Sequence, residues 1–157
     1  MADEMDQIQQ LMKAFFEQNV PYAKHTGIEL LVIADGLGVA QLPDRHETQN
    51  HMGSQHAGAL FTLAEAASGA ASVSLFADKV ALIRAAITEA NIKYLRAARG
   101  IIRAEGRLRV AGSDLLETFS ADGRVDFVVD VTLTDEKERD VATMEVHWSI
   151  KSNMPAS

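Results

Sequence analysis

The chain has 157 residues, of which 47% are hydrophobic and 24% charged, and its formal net charge is −7. This composition is typical of one globular domain and excludes disordered and fibrous proteins, and the negative charge argues against nucleic acid or an anionic membrane surface as a partner. The absence of cysteine excludes disulfides, a thiol nucleophile and a zinc site built on cysteine.

The N-terminal segment MADEMDQIQQ is acidic and lacks the pattern of a signal peptide, and no segment reaches the roughly 20 apolar residues of a membrane span. We therefore expect a cytoplasmic protein. The apolar stripe in DQIQQLMKAFFEQNVP predicts a helix over residues 6–20, with Asp6 as its N-cap and Pro21 closing it.

Two short apolar runs, GIELLVIAD and GLGVAQLP, meet at Asp35-Gly36, and this pattern predicts a β-hairpin. Residues 43–55 are polar and predict a long loop, which in a compact domain is often functional. The run from Ala57 to Phe76 has the length and the alanine content of a helix, and its only ionisable side chain is Glu65.

The second half of the chain predicts four more strands, at about residues 81–98, 100–110, 124–133 and 141–150, from apolar runs and alternating patterns. A short helix between the second and third of these has Ser113 as its predicted N-cap and Gly123 after its end. Runs of strands with the helices separated from them along the chain indicate an α+β fold, with a six-stranded antiparallel sheet curled around the long helix. We expect one domain over residues 1–157, with its core at about 27–151 and a frayed tail at 152–157.

The segment NHMGSQHAGALFTLAEAASGAAS contains the candidate site. Glu65 is either a solubilising residue where the helix meets solvent or a general base or nucleophile in a cleft. If the helix begins near His56, its first free N–H groups form a positive pole that can polarise a carbonyl oxygen, although His56 can equally be a simple cap. Asn50 alone suggests only a local turn, and the five-residue spacing of His46, His51 and His56 fits no zinc motif, so we expect no metal.

These residues resemble the N-x5-H-G-G-A-L…D/E signature of hotdog-fold acyl-CoA thioesterases of the PaaI-like and 4-hydroxybenzoyl-CoA types. The resemblance covers about residues 27–151 and includes NIKYLRAARGIIRAEGRL. Together with LLETFSADGRVDF and the ending at Trp148, the chain also resembles an uncharacterised hotdog subfamily, a domain of unknown function. It implies a hotdog fold and a thioesterase without a metal or redox cofactor. The chain departs from the signature at Ala57, where the family usually has glycine.

The resemblance also implies roles for individual residues. Glu65 would attack the thioester carbon or activate water, the Ala57 N–H at the helix start beside Gly58 would bind the oxyanion, Asn50 would position water or substrate, and His56 would orient the thioester. Thr88 is the candidate hydroxyl on the next strand. The basic residues that could hold the phosphates of coenzyme A at the mouth of the cleft, or could equally be a solvated strand edge, are Lys93, Arg96 and Arg99, with Arg103 beyond.

Spacing adds an independent constraint. Glu65 follows His56 by nine positions, so it lies on the opposite side of the helix and about 13 Å further along. The two can share one carbonyl only if they come from different subunits, which predicts a homodimer with two composite sites, or a dimer of such dimers. We expect hydrolysis of a small or medium acyl-CoA. The alternatives are a hotdog protein that binds acyl-CoA without hydrolysing it, and a hotdog hydratase, for which no Asp-His pair is present at the helix entrance.

Overall fold

The computed structural model describes residues 2–154 of the chain, and its elements confirm the predicted α+β class. The helices are α1 (Ala2–Asn19), α2 (Pro21–Thr26), α3 (Ala57–Ser74) and α4 (Gly112–Asp122). The strands are β1 (Glu29–Ala34), β2 (Leu37–Leu42), β3 (Ile83–Tyr94), β4 (Ile102–Leu108), β5 (Arg124–Thr134) and β6 (Asp140–Ser152). Short 3₁₀ segments at His46–Thr48 and Ala77–Leu82 lie on either side of α3. None of the helices within these residues is long and apolar enough to cross a membrane.

The N-terminal region differs from its prediction in both helix limits. The helix α1 begins at Ala2, so Asp6 lies inside it and is not its N-cap. Helix α1 ends at Asn19, and Pro21 starts α2 as its first residue. A proline is favourable at that position because the first N–H of a helix has no acceptor in any case.

The hairpin between β1 and β2 is confirmed at Asp35-Gly36. Both residues have a positive φ, 47° and 77°, which is the conformation of the two-residue turn that matches the twist of the strands. The short helix α4 is also confirmed, but its N-cap is Ala111 and not Ser113, and no side chain caps it. Gly123 does follow its end, with a φ of 67°.

All six strands form one antiparallel sheet in the order β1-β2-β4-β5-β6-β3. Strand β3 therefore lies at an edge beside β6, although β4 follows it in the chain. The predicted inward face of β5 is buried throughout, and that of β6 is buried except for a half-buried Trp148. This inward face covers α3, which contacts β1, β2, β4, β5 and β6.

The end of the chain is more ordered than the prediction of a frayed tail from residue 152. The Ser152 N–H donates to the Gly123 carbonyl at 2.8 Å, and the Asn153 N–H donates to the Leu82 carbonyl at 2.8 Å. Residues 155–157 of the predicted tail lie outside the described residues.

Two glycines allow α3 to approach the sheet closely. Gly38 of β2 and Gly106 of β4 are paired across the two strands. A Cβ atom at Gly38 would overlap the Ala67 carbonyl oxygen and lie 2.5 Å from the Ala71 nitrogen. A Cβ at Gly106 would lie 2.9 Å from the same Ala67 oxygen. The helix backbone therefore rests directly on the sheet backbone at this pair of glycines.

We expect Gly38→Ala to lower the free energy of unfolding by about 1–3 kcal/mol or more, because the added methyl group overpacks a contact between two backbones. Chemical denaturation of the purified variant measures this. Gly69→Ala is the matched control, because its methyl group would meet only the Trp148 ring, at 3.5 Å. Alanine is also the better residue inside a helix, so this control should leave the stability unchanged or raise it. Equal stabilities of the two variants would contradict the proposed contact.

Candidate active site

A cavity of about 670 Å³ lies between α1 and α3. Most of its wall is apolar, with aliphatic and aromatic side chains from α1, small residues from α3, and Trp148 from β6. Among the described residues that form the wall, Glu65 is the one carboxylate. The lining residues are Leu11, Met12, Phe15, Phe16, Val20, Tyr22, Ala23, Leu30, Ile33, Thr62, Glu65, Ala66, Gly69, Ala70, Val73, Ala77, Val80, Ala85 and Trp148.

Glu65 is exposed, so solvent reaches the cavity at this residue. Partial burial of its carboxyl group nevertheless raises the pKa of Glu65, because desolvation disfavours the charged form. No side chain within residues 2–154 donates a hydrogen bond to this carboxylate or forms an ion pair with it. A partly desolvated carboxylate without a cation is more basic than a free one, which suits a general base.

Ser68 and Trp148 fix the helix turn that carries Glu65. The Ser68 hydroxyl is fully buried, donates to the Glu65 carbonyl at 2.8 Å and accepts the indole N–H of Trp148 at 3.1 Å. The indole ring also lies against Gly69. Neither residue is among those that the sequence predicts for the site. A buried tryptophan N–H usually has a hydrogen-bond acceptor, and this requirement is the signal from which a polar partner for Trp148 could have been expected.

The loop before α3 is held by Gln55, which is 3% exposed. Its side-chain nitrogen donates to the carbonyls of Pro43 and Gly100, each at 3.0 Å, and its side-chain oxygen accepts the Thr48 hydroxyl at 2.8 Å. Asn50 closes a local turn in this loop. Its side-chain oxygen accepts the N–H groups of Met52 and Ser54, and its side-chain nitrogen donates to the Ser54 hydroxyl at 2.9 Å. Both ends of the Asn50 amide therefore have partners within the loop.

The start of α3 lies where the sequence predicts it. His56 is the N-cap, and its Nδ1 accepts the Gly58 N–H at 2.9 Å. A neutral imidazole bonded in this way carries its own proton on Nε2. Ala57 is exposed, and within the described residues its N–H has no acceptor. The Tyr94 hydroxyl donates to the Ala57 carbonyl at 3.1 Å, so the end of β3 lies against the helix start.

The chain does not bring the helix start and Glu65 together. Ala57 is the first residue of α3, and Glu65 follows more than two turns later. Ala57 does not line the cavity that contains Glu65. Within one protomer the positive pole and the carboxylate are therefore separate half-sites.

The predicted substrate-binding residues fall into two groups. Lys93 follows the inward-facing Ile92 on β3, Arg96 lies just beyond the strand, and the Arg99 guanidinium donates to the Met52 carbonyl at 3.3 Å in the loop before α3. These three residues thus lie at the end of β3 and in the segment that follows it, with Arg99 alone in contact with the loop before α3, and none forms an ion pair with a carboxylate of the described chain. Thr88 lies elsewhere: it is at a β-bulge, donates weakly to the His147 carbonyl at 3.4 Å, and does not line the cavity that contains Glu65.

The histidines of the loop do not form a ligand set. Within residues 2–154, no group of three His, Cys, Asp or Glu side chains has the arrangement needed to hold a metal ion. The chemistry that these residues offer is therefore that of a carboxylate base and of helix N–H donors.

Several solved structures share this fold. A Pseudomonas aeruginosa protein of unknown function, PA5026, described as a probable thioesterase, is 27% identical, with a TM-score of 0.80 over 92% of this chain and 95% of that one. The PaaI protein of the Escherichia coli phenylacetic acid degradation operon is 20% identical, with a TM-score of 0.69 over 93% and 94%. A variant of the Staphylococcus aureus thioesterase SAV0944 is 21% identical, with a TM-score of 0.70 over 83% and 98%. These likenesses confirm the predicted hotdog fold.

No curated protein matches the chain. Residues 8–150 match the family described as Domain of unknown function (DUF4442). Because that match spans most of the sequence, the protein belongs to the DUF4442 family, and its fold is that of the hotdog thioesterases.

Proposed function

We propose that the protein is an acyl-CoA thioesterase that acts as a homodimer, with Glu65 of one subunit and the start of α3 of the other at each site. The observation that carries this proposal is the single, partly desolvated carboxylate in an otherwise apolar cavity. A thioester has an apolar acyl chain next to an electrophilic carbonyl carbon. The apolar cavity can hold the acyl chain, and Glu65 can attack the carbonyl carbon or activate water beside it. The description of PA5026 as a probable thioesterase supports the same activity.

The chemistry needs no cofactor. The Glu65 carboxylate removes a proton from water as the water oxygen bonds to the thioester carbon, or it attacks that carbon itself and forms an anhydride that water then cleaves. The Ala57 N–H stabilises the negative charge that develops on the carbonyl oxygen. In the first route the C–S bond breaks as the tetrahedral intermediate collapses, and the coenzyme A thiolate takes up the proton that Glu65 removed from water, which leaves the acyl group as a carboxylic acid. In the second route the C–S bond breaks and the thiolate leaves when the anhydride forms; water then cleaves the anhydride, which frees the carboxylic acid and regenerates Glu65.

The two half-sites are related by β3. Ala85 at one end of the strand lines the cavity of Glu65, and Tyr94 at the other end contacts the helix start. Both residues face inward, since their partners on β6 are the buried Ile150 and Ala142. The outer edge of β3 has no neighbouring strand in the described chain. Antiparallel pairing with the β3 of a second copy would place Ala85 of one copy near the Tyr94 end of the other, and so bring together the two halves of each site.

The basic residues next to the helix start would then hold the nucleotide end of the substrate. Lys93, Arg96 and Arg99 are exposed and lie at the same end of β3 as Tyr94. Lysine and arginine bind phosphate by charge-assisted hydrogen bonds. None of the three lines the apolar cavity. In the proposed dimer they would lie on the helix-start side of the thioester carbonyl, where the nucleotide end of coenzyme A would lie if its acyl chain occupied the cavity.

A protein that binds acyl-CoA without hydrolysing it is the second candidate. It is favoured by Ala57, whose methyl group stands where the resembled signature has glycine and can crowd a thioester. A rise in melting temperature with acyl-CoA, without thiol release over a broad panel, would identify this alternative.

We expect Glu65→Gln to lower kcat for acyl-CoA hydrolysis by about 10²- to 10⁴-fold, because the amide cannot accept a proton or attack the thioester. A thiol-release assay on the purified dimer measures this. The control is Glu117→Gln on the exposed surface of α4, which should retain the wild-type rate. Unchanged turnover in Glu65→Gln would refute the mechanism.

The raised pKa of Glu65 predicts the pH dependence. Because the base must be ionised, kcat/KM should rise with pH through one ionisation, with an apparent pKa above the usual value of about 4.3 for a glutamate. The residual kcat/KM of Glu65→Gln should not show this rise with pH.

The same pKa has a consequence for stability. A carboxyl group whose pKa is raised by folding stabilises the fold below its unfolded pKa, and this contribution is lost as the pH rises through its folded pKa. At pH 7, Glu65→Gln should therefore melt at or above the temperature of the wild type, and the difference should decrease at acidic pH. A destabilised glutamine variant at pH 7 would contradict the partial burial of this carboxylate.

Complementation between two inactive variants tests the composite site. Ala57→Pro removes the proposed oxyanion donor, and proline fits the first helical position, where the preceding His56 is already extended with φ −63° and ψ 141°. We expect the variant to fold and to lose about 10²- to 10³-fold in kcat.

If equal amounts of Ala57→Pro and Glu65→Gln are unfolded together and refolded, half of the dimers are mixed, and each mixed dimer has one intact composite site. Activity should return to about a quarter of the wild-type value. No recovery, with mixed dimers confirmed by mass spectrometry, would show that each site lies within one chain.

A further inference from the structure

We propose that the preferred acyl group is an unbranched, unsubstituted aliphatic chain of about 8–12 carbons, which lies along α3 beneath α1. This inference rests on the proposed function and names the substrate class of the same site. It follows from the direction, the length and the polarity of the cavity.

Along α3 the cavity extends further towards the C-terminal side of Glu65 than towards the N-terminal side. On α3, Thr62 lines it one turn before Glu65, whereas Gly69 and Val73 line it one and two turns after. Ala77 and Val80, beyond the end of the helix, continue the wall in the same direction. An acyl chain with its carbonyl carbon near Glu65 would therefore run towards the C-terminal end of α3.

The length of this arm gives the length of the chain. Glu65 and Val73 are eight residues apart, which corresponds to about 12 Å along the helix axis. An extended chain advances about 1.2 Å per bond, so about ten bonds span this distance. The cavity volume of about 670 Å³ is large for an acetyl or phenylacetyl group and falls within the range of pockets that enclose a drug-sized ligand.

The α3 residues that line this arm, Ala66, Gly69, Ala70 and Val73, offer no hydrogen-bonding side chain to a polar acyl group. The Thr62 hydroxyl lies on the other side of Glu65 and already donates to the Gly58 carbonyl at 2.8 Å. The opposite wall carries Leu11 and Phe15 of α1, which line the cavity but are 70% and 57% exposed. An alkyl chain would cover part of both side chains, whereas a hydroxyl or carboxylate placed against α3 in this arm would be partly desolvated and would gain no hydrogen bond from the helix side chains.

Binding is measured first, so that it is separate from the chemistry. Calorimetry with the Glu65→Gln variant and acetyl-, butyryl-, octanoyl-, decanoyl-, dodecanoyl- and palmitoyl-CoA should give a Kd that falls roughly three- to fourfold per added methylene up to about 10–12 carbons. It should not fall further at 16 carbons. Phenylacetyl-CoA should bind at least tenfold more weakly than decanoyl-CoA. A Kd independent of chain length would overturn the inference.

A cavity-filling variant then tests the position of the chain. Val73→Phe narrows the arm two helical turns beyond Glu65, so it should lower kcat/KM for decanoyl- and dodecanoyl-CoA at least tenfold and leave that for butyryl-CoA within about twofold. Val110→Phe is the matched control, because Val110 is exposed and does not line the cavity; it should not change the profile. Circular dichroism and thermal melting of both variants verify that each is folded.

The two proposals fail separately in these experiments. If no acyl-CoA is hydrolysed but the Glu65→Gln variant binds decanoyl-CoA with the expected chain-length dependence, the thioesterase proposal fails and the acyl site stands. If hydrolysis depends on Glu65 but short or phenylacetyl thioesters are preferred, or if Val73→Phe leaves the profile unchanged, the thioesterase proposal stands and the inference about the chain is wrong.

Discussion

The direct contact between the α3 backbone and the sheet backbone is the constraint on which the rest of the structure depends. Gly38 and Gly106 lie side by side on β2 and β4, and the carbonyl of Ala67 rests against both. Larger side chains at any of these positions would push the helix away from the sheet. The close approach also explains the small residues in the second half of α3, since a helix turn whose backbone contacts the sheet has room only for small side chains on that side.

This packing also determines where the one charged residue of α3 can lie. The side of the helix that faces the sheet is filled by buried alanines and serines, so Glu65 must lie on the side that the sheet leaves open. The bond from the Trp148 indole to Ser68 then links β6 to the turn that follows Glu65. As a result the backbone that carries Glu65 is fixed beside the cavity, and no side chain of residues 2–154 pairs with its carboxylate, so burial raises the pKa of Glu65.

The sequence predicts the parts of this arrangement that depend on local signals. The Asp35-Gly36 turn, the start of α3 at His56 and the inward faces of β5 and β6 follow from turn chemistry, capping and a period of two. The strand order does not follow from local signals, because the pairing of β3 with β6 joins segments about 60 residues apart. Local signals also do not reveal that α1 forms a wall of the cavity. The apolar stripe of α1 predicts a helix that packs against the rest of the protein, but the same stripe would be found whether the space beside it is a filled core or an open cavity. Asp6 and Ser113 failed as predicted caps because cap-type residues are also common inside the first turns of helices.

The edge position of β3 connects stability to the proposed assembly. A strand of twelve residues with one unpaired side invites pairing with another chain, and natural proteins block or cover such edges. The inward face of β3 is only partly covered here, with Ile87, Ala90 and Ile92 half-buried. A second copy paired along this edge would bury these residues and satisfy the free backbone groups. Because the two ends of the same strand contact the two half-sites, this one interface would both protect the edge and complete the chemistry, so a protomer that evolved to avoid pairing at β3 would lose its site as well.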